Sequence, residues 1–134
     1  MAEAIFRVKV QQQGLADEFE IDSAGTGSWH VGEAPHPGTR QVLHTHAIPF
    51  QGILARQIKP EDIRNFDWIL VMDDANWRDV SSWDSNASNI HKVLEFSEGP
   101  EQNVPDPFFT GGFGYVYALL DKALDNFLRI ALSR

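Results

Sequence analysis

The sequence predicts an α/β domain with a mostly parallel sheet. Residues 68–72, "WILVM", form an unbroken apolar run, as expected of a strand covered on both faces. Residues 113–133 place Val116, Leu119, Leu120, Ala123, Leu124, Phe127 and Ile130 on one face of a long amphipathic helix. Between these and the N-terminus, helical and strand patterns alternate, which favours parallel pairing. A length of 134 residues suits one domain, 1–134, with a single modest core.

The elements follow in order. Residues 2–13 carry Ile5, Val8 and Gln12 at helical spacing, and Gly14 is a stop signal. "EFEIDS" alternates Phe19 and Ile21 with acids, which predicts a short strand entering a Gly-rich loop. "SWHVGEAPHPG" is a long loop, a helix is expected from about 38 to 47, and an irregular run reaches Lys59. "KPEDIRNF" has Pro60 and two acids where a short helix begins. A strand over 68–72 ends at Asp73 and Asp74, and a helix through 77–80 follows. "HKVLEF" reads as a second, shorter buried strand. In such sheets sites collect at the carboxyl ends of strands. Three loops leave those ends: 23–32, 73–76 and 96–112.

Composition narrows the chemistry. A formal net charge of −8 argues against nucleic acid or an anionic membrane as the main partner. No apolar run reaches the roughly 18 residues of a membrane span. "MAEAIFRVKVQQQ" lacks the basic start and apolar stretch of a signal peptide, so a cytoplasmic protein is expected. The absence of cysteine removes disulfides, thiolate metal sites and a thiol nucleophile from this chain. His44 and His46 stand two apart, which on a helix points them in different directions, so no metal is expected there. "GTG" at Gly25 lacks the spacing of a dinucleotide fingerprint, and no cofactor is expected.

The third loop holds Asp106 between Pro105 and Pro107 in "NVPDPFFTGGFGYVY". On spacing alone, Asp106 reads as a turn residue ahead of a functional carboxylate, since Asp and Pro are both common turn formers. Taken together, "MAEAIF", "IDSAGTGSWHVGE", "PHPGTRQVLHTHAI", "ARQIKPEDIRNFDWILVMDDAN" and "VPDPFFTGGFGYVY" resemble the low-molecular-weight protein tyrosine phosphatases over essentially the whole chain. The resemblance implies a three-layer, phosphotyrosine phosphatase I-like fold. It implies that Asp106 is the general acid, protonating the departing phenolate and then assisting water. It implies that Trp29 forms one wall of the substrate cleft and Phe108 and Phe109 the other. Ser23 matches the family serine that steadies the phosphate loop. Phosphotyrosine proteins or small aryl phosphates are the implied substrates. Arg56 and Asp73 match positions with structural roles.

The family's "MAEAIF" follows an inner strand and a loop ending in Cys-Arg-Ser-Pro, which supply the nucleophile and the anion cradle. This chain opens at that methionine, so the implied fold is missing its first, inner strand. One expectation is that in-frame DNA upstream encodes the missing strand and loop. Others are a non-catalytic pseudophosphatase or binding module, and a hydrolase in which Asp106 works without a cysteine. Thiol-dependent arsenate reductase chemistry is disfavoured by the lack of cysteine. The strands on either side of the slot are expected to close up on each other, or to pair with a second copy in a homodimer.

Overall fold

The computed structural model describes residues 1–27, 30–107 and 112–133. Its helices are α1 (Ala2–Gln12), α2 (Pro37–Thr45), α3 (Glu61–Asn65), α4 (Asp74–Ser81) and α5 (Phe113–Leu132), with strands β1 (Ile69–Val71) and β2 (Ile90–Lys92). The strands pair in parallel, with Ile69 opposite Ile90, Leu70 opposite His91 and Val71 opposite Lys92.

The alternation along β1 builds the layers. Trp68, Leu70 and Met72 pack against the main core, which α1, α2 and α5 line with Ile5, Leu43, Leu120 and Phe127. Ile69 and Val71 face the other way, into a smaller cluster with Ile63 of α3, Val80 of α4 and Ile90. Successive side chains alternate between faces, so five consecutive apolar residues supply both layers. Within the main core, Phe127 meets Phe6, Trp68 and Phe96 at centroid distances of 5.5, 5.2 and 5.2 Å.

The terminal helices are the best match to expectation. α1 has Glu3 in its first turn and Lys9 near its last, in the sense its dipole favours. Gly14 follows at φ 71, a conformation that glycine reaches without a Cβ clash. Lys9 Nζ lies 2.7 Å from Asp121 and 2.6 Å from Asp125, one turn apart on α5. That clamp ties the two helices across 112 residues of sequence.

Two strand expectations are corrected. "EFEIDS" forms no strand: residues 16–18 are a short 3-10 helix, and 19–24 run without a ladder. The alternation is real, because Phe19 meets Phe6 edge-on and Ile21 packs on the core. However, the Ile21 carbonyl accepts from the Arg7 guanidinium instead of a strand. The expected closure of this segment onto β1 does not occur either. Among the described residues β1 has one strand neighbour, β2. The second strand stops at Lys92, and Val93–Phe96 turns into a 3-10 helix. Glu95 reaches back to the Lys92 N–H at 3.2 Å, favouring the turn over continued extension. No helix of the described residues is long and apolar enough to cross a membrane.

Candidate active site

The loop that carries Asp106 leaves the end of the Val93–Phe96 turn and is fastened at three points before the acid. Val104 is buried, and its N–H donates to the Met72 carbonyl at 2.9 Å, just past the carboxyl end of β1. Asn103 Oδ1 accepts from the Asp74 N–H at 2.9 Å, while its amide donates to Asp74 Oδ2 at 3.3 Å. Lys92 Nζ meets Asp74 Oδ1 at 2.7 Å. The Lys92 hydrogen bond, helped by the Asn103 amide, holds the Asp74 carboxyl below the ordinary carboxylate range. Farther out, the Tyr115 hydroxyl donates to Glu101 Oε1 at 2.6 Å, joining the start of α5 to the base of the loop. Asp106 is exposed between its two prolines, each of which fixes its own φ.

Ser23 stands on a separate support. Its hydroxyl donates to Glu3 Oε1 at 2.5 Å, and Glu3 Oε2 accepts from Arg7 Nε at 2.8 Å. Glu3 is only 9% exposed, so both carboxylate oxygens are satisfied in a poorly solvated place. Just beyond, Gly25 bridges to Gln57: its N–H bonds the Arg56 carbonyl and its carbonyl accepts from Ile58. Arg56 braces this loop, as expected, with Nε 2.9 Å from Asp22 and Nη1 3.0 Å from Asp62. With its guanidinium turned to two carboxylates, Arg56 is committed to bracing. Asp73 is likewise structural: its carboxylate accepts from the Asn76 N–H at 2.8 Å and caps α4.

Trp29, Phe108 and Phe109 lie outside the described residues. A cavity of 120 Å³ borders Gly25, Gly27, His30, Val31, Ala55 and Arg56, on the loop where the cleft wall was expected. A larger one, 320 Å³, opens beside Trp77 and Arg78 of α4 and includes none of the expected site residues. His46 caps the end of α2 and stacks on Tyr117 at 3.8 Å. Among the described residues no group of three or more His, Asp or Glu could hold a metal ion.

The layered frame of helices and parallel strands coincides with a known pattern. The family model for low molecular weight phosphotyrosine protein phosphatases matches residues 1–134. This chain belongs to that family. It is 40% identical over 131 residues to the low molecular weight protein-tyrosine-phosphatase YfkJ of Bacillus subtilis, covering 96% of this chain and 84% of that protein. It is 37% identical over 129 residues to PtpA of Staphylococcus epidermidis, covering 96% of this chain and 82% of that one. The crystal structure of YfkJ superposes with a TM-score of 0.96 at 38% identity, covering 98% and 85% of the two chains. The Drosophila arginine phosphatase, at 29% identity and 97% and 87% coverage, gives a TM-score of 0.88. The phosphatase fold expected from the sequence is therefore the fold of this chain.

Several members of the site escaped sequence reasoning. Glu3, Asp74, Lys92 and Asn103 find partners 18 to 29 residues away, a relation that no local spacing encodes. Only the nearness of Asn103 to Asp106 could have drawn attention to it.

Proposed function

We propose that this chain is a single low-molecular-weight phosphatase domain, residues 1–134, that carries the acid side of aryl phosphate hydrolysis and does not turn over alone. The observation that supports the reading is a family fold that carries Asp106 between two prolines on a chain that has no cysteine. In the full reaction a thiolate attacks phosphorus, the P–O bond breaks, and the departing phenolate takes the Asp106 proton. Trp29 would flank the substrate ring on one side and Phe108 and Phe109 on the other, by stacking. Ser23 would support the phosphate loop. The substrate class is a phosphotyrosine protein or a small aryl phosphate, met in the cytoplasm.

The test is hydrolysis of p-nitrophenyl phosphate. The chain alone is expected to match buffer, and Asp106→Asn to change nothing. Fusing the family's strand and Cys-Arg-Ser-Pro loop before Met1 is expected to produce turnover, which Asp106→Asn then lowers about 10²–10⁴-fold. Asp106-dependent turnover by the unfused chain would overturn the proposal and support a cysteine-free mechanism.

A second reading rests on β1, which has a ladder on one side only among the described residues. A strand edge of this kind is a template for another chain. The chain would then act as a non-catalytic module that forms a homodimer through this edge. Sedimentation velocity should show a dimer whose population rises with concentration. A monomer at every concentration would exclude it.

A further inference from the structure

We propose that Asn103, Asp74 and Lys92 are positioning residues that set where Asp106 stands, an inference that rests on reading Asp106 as the proton donor. The geometry is more than a turn cap. Asn103 uses both ends of its amide on one partner: the carbonyl takes the first backbone N–H of α4, and the NH₂ meets the carboxylate of the same residue. Lys92, at the end of β2, takes the other carboxylate oxygen at 2.7 Å. One aspartate thus joins a helix start, a strand end and the loop three residues before the acid. Val104 adds a backbone bond to Met72 in the next position.

What this does to Asp106 follows from the chain between. Only Val104 and Pro105 separate Asn103 from the acid. Val104 is buried and bonded, and Pro105 fixes its own φ and disfavours helical backbone at Val104. With Asn103 and Val104 fixed, few backbone torsions remain free before the Asp106 carboxylate. A general acid must sit within hydrogen-bond reach of the atom it protonates, so the anchor sets the position on which proton transfer depends. Asn103 and Asp74 are both exposed, which makes their pairing an unusual place to spend four polar groups on core stability. Its value lies in placing the loop.

The test needs no turnover. Amide exchange and the Asp106 carboxyl ¹³C resonance would be followed by NMR in the full chain and in Asn103→Ala. Val104 is expected to exchange at least about tenfold faster in the variant, and the Asp106 resonance to move, while Leu120 in the core stays within about twofold. Lys92→Met serves as the second variant and should give a smaller change of the same kind. Val104 exchange that is unaltered, or that rises in step with Leu120, would overturn the proposal, as would an unmoved Asp106 resonance. The hydrolysis test of Asp106 is separate. The acid can fail there while the anchor holds here, and the reverse.

Discussion

Phe127→Ala is expected to lower the free energy of unfolding by about 3–5 kcal/mol. Phe127 is 5% exposed and touches three other aromatic rings. Those rings come from α1, the entry to β1 and the turn after β2, so one side chain joins the first helix, the sheet and the last helix. Truncation removes the buried ring and leaves a void lined by groups fixed on separate elements, which cannot all move inward. Each aromatic contact adds about 0.5–1.5 kcal/mol beyond the area buried. In urea the midpoint should fall with the slope unchanged. Leu132→Ala, at a side chain 47% exposed, is the control and should change stability by under about 0.5 kcal/mol. A loss below about 1 kcal/mol at Phe127 would mean that the aromatic cluster does not hold the layers together.

Arg56→Met should cost about 2 kcal/mol at neutral pH, because it leaves a partly buried carboxylate without its counter-charge. The Asp62 side chain is 13% exposed, against 43% for Asp22, so Asp62 carries most of the effect. Burial alone would raise the Asp62 pKa. The Arg56 hydrogen bond, the Lys59 N–H and the two positive charges outweigh it, and the carboxyl ends below its ordinary value. A carboxyl depressed on folding contributes stability above its unfolded pKa of about 4, and that contribution is lost as pH falls through the folded value. Without Arg56, burial pushes Asp62 the other way, so the variant should gain relative to wild type on acidification. Melts at a series of pH values should therefore show a gap that is widest near neutrality and closes below about pH 4. A gap independent of pH would assign the loss to packing of the arginine stem instead.

These expectations indicate which features are legible in sequence. α1 and α5 are amphipathic over many residues, and their periodicity survives any change of neighbour. β1 is legible because an unbroken apolar run next to two aspartates has few other readings. "EFEIDS" misled because alternation reports which side chains turn inward, not whether the backbone has a ladder partner. Phe19 and Ile21 do turn inward, but the Ile21 carbonyl is taken by Arg7. "VLEF" misled for a related reason: Val93 and Leu94 are buried equally well on a turn as on a strand, and the Glu95 side chain decided between them. At the site, Asp106 was marked by its prolines and by the family pattern. Its anchors were not, because a hydrogen bond between Asn103 and Asp74 exists only once α4 and the loop are brought together.

The anchoring of the acid loop bears on what natural selection can see. Val104 completes a backbone bond at the end of β1, and Asn103 satisfies the first N–H of α4. The first serves a folded chain whether or not any phosphate is ever cleaved. Selection for a folded chain would hold the buried bond at Val104 more firmly than the exposed Asn103–Asp74 pair. The backbone course of this loop is thus weak testimony to activity, and the exposed pair beside it is the part that speaks to function.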